Sequence, residues 1–289
     1  MARPNTLIVA GATGYGIWPA NSLQGAERCI AAPVDGIEID VQMTADGHVV
    51  AHHDYWLSPD ATRLDGEWLT ERGPPLKTMT LDDLRRYDIG RPRPGSAADL
   101  QHPELDAIDG ARIPTLPELL EVLKAAEGRR RLIYVEIKTH PTRPDDAPAP
   151  AVVTDAVLGA LEAADYVAHA KIIAFDWSAL RLAAARIPEI ATAHLTIPRR
   201  PDHVDQGRDS PWFDGADPRH FGGSELAAIK AHGGMEWSPY YTDFTPERVA
   251  EADALGLKTG PWGLSKPADI RRMIAGGVFS ATVSGPDWR

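Results

Sequence analysis

The sequence predicts an α/β fold: a (β/α)8 TIM barrel in one domain over residues 1–289, with a small insertion at 55–112 over its C-terminal mouth. Three observations carry that expectation. Short β-branched and apolar runs recur along the chain with amphipathic segments between them, the signature of βα repetition. A length of 289 residues is ordinary for one such barrel. A content of 43% hydrophobic and 25% charged residues is that of a soluble globular chain.

In chain order, strands are expected at Thr6–Ala10, Gly36–Gln42, His48–His52, Arg131–Lys138, Lys171–Phe175, Thr192–Ile197, Met235–Pro239, Leu257–Trp262 and Ser280–Ser284. Helices are expected at Leu23–Ala31, Leu81–Tyr87, Leu116–Ala126, Ala151–Ala164, Trp177–Arg186, Ser224–His232, Pro246–Leu255 and Pro267–Ala275. Several helix starts carry local chemistry: Thr115-x-x-Glu118 is a capping box, Asp176 can cap the helix after it, and Thr245-Pro246 puts Pro at a first helical position. Nine strands for eight barrel positions leave one outside the barrel, and Asp46-Gly47 marks a hairpin turn beside one of them. Residues 55–112, rich in Pro, Gly, Asp and Arg, fit the repeat poorly and are assigned to the insertion. The stretches 139–150 and 198–222 are expected to be long loops on the same side.

Composition excludes several function classes. Cys29 is the only cysteine, so neither an intrachain disulfide nor a cysteine metal cluster can form. A net charge of −11 opposes nucleic acid and anionic membranes, both of which need a positive face. No apolar run approaches the roughly 18 residues of a membrane span, and the apolar stretch near the N-terminus is too short for a secretory signal. The expectation is a cytoplasmic protein acting on a small-molecule substrate. An anionic substrate then requires a local cation.

The first strand runs into Gly11-Ala-Thr-Gly14-Tyr-Gly16, which looks like a dinucleotide-binding turn. That turn works only if a helix begins at once and offers its N–H groups to a pyrophosphate. Here Ile17-Trp18-Pro19 follows, and Pro19 pushes Trp18 out of helical geometry. A flexible turn is the better reading.

The informative strand is Gly36-Ile-Glu38-Ile-Asp40-Val. Strand side chains alternate faces, so Glu38 and Asp40 point one way while Ile37, Ile39 and Val41 point the other. In a barrel the aliphatic face meets the helices, which turns the carboxylates inward. Glu136 and Lys138 share one face of a later strand in the same manner. Buried carboxylates are costly without a cation or strong hydrogen bonds. Three of them, Glu38, Asp40 and Glu136, form the hard oxygen set that Mg²⁺ or Ca²⁺ prefers; the alternative is a buried salt-bridge network without metal. Lys138 can bind an anion or pair with Glu136. Of His52 and His53 only one faces the site, and His53, beside Asp54, is assigned as the acid/base group, with a surface histidine pair as the alternative.

Together these residues resemble the glycerophosphodiester phosphodiesterase family. The matching motifs are Gly36-Ile-Glu38-Ile-Asp40, Thr44-Ala-Asp46-Gly47, His53-Asp54, Ile113-Pro114-Thr115-Leu116 and Glu136-Ile-Lys138, in order and at suitable spacing, with Ala174-Phe175-Asp176 and Trp262 matching in part. The resemblance spans nearly the whole chain. It implies a barrel, a divalent metal at Glu38, Asp40 and Glu136, and phosphodiester cleavage by two histidines, the second of which is His53.

The first histidine is missing. Ungapped alignment of Ala10 through Ser22 puts Gly11 at the histidine of the family's His-Arg-Gly, Ala12 at its arginine and Ala20 at the glutamate of Pro-Glu-Asn-Thr, with Pro19 and Asn21 fixing the register. One wall has lost its titratable groups while the metal wall is complete, which favours changed chemistry or substrate over decay. Candidate replacements are the hydroxyls of Thr13 and Tyr15, or loop groups such as His140, Arg143, Arg199, Arg200 and His203. Trp18, Trp237 and Trp262 lie near strand ends, as do Trp56, Tyr240 and Tyr241, and are read as a pocket for a bulky organic group or as packing under the insertion. The function expected is a metal-dependent phosphodiesterase-type hydrolase or lyase. Its rivals are a metal-dependent enzyme on another substrate class and a non-catalytic binding barrel.

Overall fold

The computed structural model describes residues 6–126, 131–197, 204 and 209–285. Its frame is eight parallel strands: β1 (Leu7–Ala10), β2 (Gly36–Met43), β3 (Leu132–Ile137), β4 (Ala170–Ala174), β5 (Ala191–Thr196), β6 (Glu236–Pro239), β7 (Lys258–Thr259) and β8 (Ser280–Val283). From β1 to β7 each strand pairs with the next in sequence, and β8 returns to β1 with Leu7 opposite Ser280. Between β7 and β8 the ring closes through single bonds, Phe279 N–H to Thr259 O at 2.9 Å and Thr282 N–H to Pro261 O at 3.0 Å. The run expected over Leu257–Trp262 shortens to β7 because Pro261 has no N–H to give a ladder.

The connecting helices are α1 (Leu23–Ala31), α2 (Leu116–Lys124), α3 (Pro150–Ala163), α4 (Trp177–Arg186), α5 (Glu225–Ala231), α6 (Pro246–Ala254) and α7 (Pro267–Ala275). The capping box forms: Thr115 Oγ1 accepts from Glu118 N–H at 3.3 Å, and Glu118 Oε2 accepts from Thr115 N–H at 2.8 Å. Ile37, Ile39 and Val41 of β2 join Leu116, Leu119, Leu120 and Leu123 of α2 in the main core between strands and helices. That leaves the opposite face of β2 inside the barrel.

The ninth strand, Val49–Ala51, lies off the barrel, antiparallel to β2 with Val41 opposite Ala51. The hairpin joining them turns at Asp46-Gly47, where Gly47 takes φ +88°, a conformation glycine adopts without a Cβ penalty. Residues 55–112 follow this hairpin within the connection from β2 to α2, on the mouth side where βα connections build sites. They contain a three-stranded antiparallel sheet (Arg63–Leu64, Glu67–Trp68, Tyr87–Asp88) and helices Leu81–Leu84 and Ala97–Gln101, over a small core that includes Leu57, Leu76 and Leu84. Strands of two residues fall below the length at which alternation can be read, so no local pattern marks them.

After β1 the chain makes a single 3-10 turn at Gly11–Thr13, and no α-helix begins until Leu23. The dinucleotide reading therefore has no helix N-terminus to rest on. Among the described residues no helix is long and apolar enough to cross a membrane.

Candidate active site

Parallel pairing of β2 with β3 sets Asp40 opposite Glu136 and Glu38 opposite Tyr134. Glu38, Asp40 and Glu136 are all buried, and ligand oxygens from the three lie within 4.8 Å of one another. Lys138, one inward position beyond Glu136, spans two of them, with Nζ 2.8 Å from Asp40 Oδ1 and 2.6 Å from Glu136 Oε1. It is thus part of the carboxylate cluster and pairs with both partners.

Each carboxylate has a different environment. Burial opposes charge on Asp40, yet the Lys138 ammonium, His53 and a hydrogen bond from Asn21 hold its carboxyl well below the usual range. Asn21 grips it twice, donating from Nδ2 to Asp40 Oδ2 at 2.9 Å and accepting from Asp40 N–H at 3.0 Å. To do so Asn21 adopts φ +53°, which asparagine tolerates better than most residues. Glu38 goes the other way: burial, then the charges of Asp40 and Glu136, push its pKa well up. Its Oε2 accepts from Ala12 N–H at 2.8 Å, while Oε1 is buried without a hydrogen-bond partner among the described residues. Glu136 is also raised, first by burial and then by Asp40, against the pull of Lys138.

Among the described residues, three carboxyl groups stand against one ammonium, and one carboxyl oxygen has no hydrogen-bond partner. A salt-bridge network complete in itself would show neither feature. A divalent cation among these oxygens would meet the unpaired Glu38 atom and reverse the upward shifts of Glu38 and Glu136. The donor set is all oxygen, which suits a hard cation.

His53 lies on the rim of the same cavity, with Nδ1 2.7 Å from Asp54 Oδ1. Lys138 and burial disfavour a proton on its ring, but Asp40 and Asp54 outweigh them and its pKa is raised. His52 turns away: its Nδ1 meets the Asp54 carbonyl at 3.0 Å, and its ring lines a neighbouring cavity.

The cavity of about 390 Å³ above the cluster is bounded by Phe175, Leu195 and Trp262 as well as by the charged groups. Trp262 meets Phe175 edge-on at 5.6 Å and Tyr240 at 5.0 Å. Two of the tryptophans assigned to this pocket are elsewhere. Trp237 is fully buried on the outward face of β6, where its Nε1 donates to Thr196 Oγ1 at 2.9 Å, because strand alternation gives the inward position to Ser238. Trp18 packs beside the main core with Arg28 over its ring at 5.9 Å. Both are corrected from pocket to packing. His140 is buried with Arg143 Nε donating to its Nε2 at 2.8 Å, and neither lines the cavity. Arg199, Arg200 and His203 fall outside the described residues.

On the opposite wall, Gly11 and Ala12 line the cavity with no functional side chain, and Tyr15 fills the space beside them. A Cβ at Gly11 would lie 3.5 Å from Tyr15 Cε1. Burial and then the charge of Glu38 push the Tyr15 phenol up to about 12, so at neutral pH it stays a hydrogen-bond donor. The insertion adds two residues that the sequence did not single out, Gln101 and His102. Nothing in the local pattern marks them; only the folding of the insertion brings them to the barrel.

The chain matches the model of the glycerophosphoryl diester phosphodiesterase family over residues 11–287. It is 25% identical over 286 residues to a glycerophosphodiester phosphodiesterase from Caldanaerobacter subterraneus subsp. tengcongensis, covering 98% of this chain and 95% of the relative. A candidate glycerophosphoryl diester phosphodiesterase from Silicibacter pomeroyi DSS-3 superposes with a TM-score of 0.86 at 29% identity, over 99% of this chain and 93% of the other. A phosphodiesterase from Oleispira antarctica, solved with its product sn-glycerol-3-phosphate, shares the fold at a TM-score of 0.69 and 18% identity, over 98% and 94% of the two chains.

Proposed function

The chain belongs to the glycerophosphoryl diester phosphodiesterase family, and from that premise we propose that it cleaves a phosphodiester carrying a bulky organic group, with a divalent cation held by Glu38, Asp40 and Glu136. The observation that carries this reading is the convergence of three buried carboxylates within 4.8 Å, one of whose oxygens has no partner among the described residues. When bound, the cation supplies Lewis-acid polarisation of a phosphoryl oxygen and neutralises charge that builds up there.

The chain's own groups do the rest. Lys138 and Asn21 fix the Asp40 carboxylate from two sides, so its orientation is set before substrate arrives. The Asp54 carboxylate orients His53 through Nδ1, leaving Nε2 free to pass a proton to the departing ester oxygen. Trp262 and Phe175 offer an apolar surface to the organic arm. With Ala12 at the arginine position of the family motif, bidentate grip on the phosphate is weakened, which favours recognition through the organic part. The glycerol 3-phosphate bound by the Oleispira antarctica enzyme supports a phosphomonoester as one product.

The test is hydrolysis of glycerophosphocholine and of bis(p-nitrophenyl) phosphate by the purified chain, with Mg²⁺, with Ca²⁺ and with chelator. Cation-dependent release of alcohol or nitrophenol from either ester is expected. Cation binding without turnover of any diester would favour a metal-dependent enzyme on another substrate class. Absence of both would leave a binding barrel.

A further inference from the structure

Among the described residues, the loop after β1 brings no proton-transfer group to the side of the cavity facing the carboxylates. Gly11 has no side chain, Ala12 has a methyl, and the Tyr15 phenol holds its proton at neutral pH. Tyr15, however, meets a second imidazole: its ring packs edge-on against that of His102, with centroids 5.2 Å apart and planes at 88°.

His102 directly follows the helix Ala97–Gln101 of the insertion, and its segment is tied down. Its N–H donates to Asp99 O at 3.3 Å, and Leu105 N–H donates to its carbonyl at 3.1 Å. Asp106 then accepts from Arg28 Nη1 at 2.6 Å and donates its own N–H to Ile17 O at 2.7 Å, tying this part of the insertion to α1 and to the loop after β1. His102 lines the cavity that holds Glu38, Asp40, Glu136 and His53, and also an adjoining cavity of about 220 Å³ under the insertion. The residues common to both cavities are Tyr15, Ala20, His53 and His102. Two imidazoles therefore stand at the passage between two chambers, and a phosphodiester has two arms to place in them.

We propose that His102 is the second catalytic acid/base group of this site, supplied by the insertion where the loop after β1 has none. The assignment rests on the phosphodiesterase reading given above. A water oxygen attacks phosphorus while one of its protons passes to an imidazole nitrogen of His102. The bond from phosphorus to the leaving ester oxygen breaks, and that oxygen takes the proton held by His53. The products are a phosphomonoester and an alcohol, with the proton count unchanged. Partial burial lowers the pKa of His102, which keeps the ring neutral and able to accept a proton near pH 7.

The experiment compares wild type, His102→Gln, His102→Ala and Tyr15→Phe, as full chains with Mg²⁺, on glycerophosphocholine and bis(p-nitrophenyl) phosphate across about pH 5–9. His102→Gln is expected to lower kcat by about 10²–10⁴-fold on both esters, since water activation is needed for either leaving group. KM should change little, the acid limb of the rate profile should disappear, and added imidazole should restore part of the activity of His102→Ala. Thermal stability should match wild type, because the ring is only half-buried in a surface element. Activity of His102→Gln within about threefold of wild type (well short of an acid/base contribution), with its pH profile intact, overturns the assignment. So does a collapse confined to Tyr15→Phe. If wild type turns over neither ester, the phosphodiesterase reading itself fails and the assignment goes with it.

Discussion

The two sides of the candidate active-site cavity are built by different means. The carboxylate side comes from adjacent strands, β2 and β3, whose pairing sets Asp40 against Glu136 and aims Glu38 inward. Every polar atom there depends on strand register, and a one-residue slip would turn the whole set into the helical layer. The other side comes from a loop, where Ala12 and Asn21 sit at positive φ, and from an insertion that joins it from far along the chain. On the register-fixed side Lys138 ties Asp40 to Glu136, so a change at one of these three disturbs the others. A loop wall can exchange side chains singly while the scaffold stays intact. This contrast explains how Gly11, Ala12 and Ala20 can depart from the family pattern while Glu38, Asp40, Glu136 and Lys138 remain.

The largest effect that would test this division is at His53, which stands between the two sides. His53→Ala should cut turnover of any true diester substrate by about 10²–10⁴-fold, the usual contribution of one acid/base group. The loss should be greater for glycerophosphocholine than for bis(p-nitrophenyl) phosphate, whose leaving group needs no proton. Equal activity of variant and wild type would show that the proton comes from elsewhere.

Next come the two tryptophans that the fold sends to different places. Trp237→Ala should cost about 3–5 kcal/mol of stability as a fully buried core truncation, measured by denaturant unfolding. Trp262→Ala should leave unfolding nearly unchanged and raise KM for an aryl ester by a few fold, matching about 1 kcal/mol of aromatic contact. A reversal of these results would place the organic pocket on the wrong face of β6.

A smaller effect probes the loop wall directly. A Cβ at Gly11 would lie 3.2 Å from Thr282 Cγ2, so a side chain can start there if that methyl moves slightly. In a His102→Gln background, Gly11→His with Ala12→Arg should raise glycerophosphocholine turnover about tenfold, recovering the lower part of an acid/base contribution. No recovery would mean that the wall has diverged beyond its side chains.

The smallest effect concerns Glu38 and its proton. Its folded pKa lies above the ordinary carboxyl value, so folding tightens its hold on the proton. Without cation, that contribution to stability is full below the ordinary value of 4.5 and is lost as pH rises through the higher folded value. In chelator at neutral pH, Glu38→Gln should therefore melt about 2 °C above wild type, for roughly 1 kcal/mol of relief. With saturating cation the order should invert, since wild type gains about 2.7 kcal/mol at a hundred times Kd and the variant gains less. Identical melting behaviour in both conditions would argue for a salt-bridge network that needs no ion.

Local pattern was enough for much of this molecule. Leu23–Ala31, Trp177–Arg186 and Pro267–Ala275 span the residues on which periodicity places them, and Asp176 caps the second, accepting from Ser178 N–H at 3.0 Å. Alternation in Gly36–Met43 separated the carboxylates from the aliphatic residues that meet α2. Trp237 was misplaced because proximity to a strand end says nothing about which face a side chain takes; its neighbour Ser238 decides that once the register is known. Asn21 was visible as a matched residue, but its clamp on Asp40 requires a left-handed backbone that no composition announces.

What the sequence determined by itself is whatever depends on neighbours in the chain: the strand and helix pattern, the inward pairing of Glu38 with Asp40 and of Glu136 with Lys138, and the gap at Gly11 and Ala12. Tertiary structure alone decided what depends on residues distant in sequence. It set Lys138 between Asp40 and Glu136, left Glu38 Oε1 without a partner, and brought His102 against Tyr15. The physical reason is that alternation and capping act over a few residues, whereas a cavity is shaped by chain segments whose only connection is the packing that joins them.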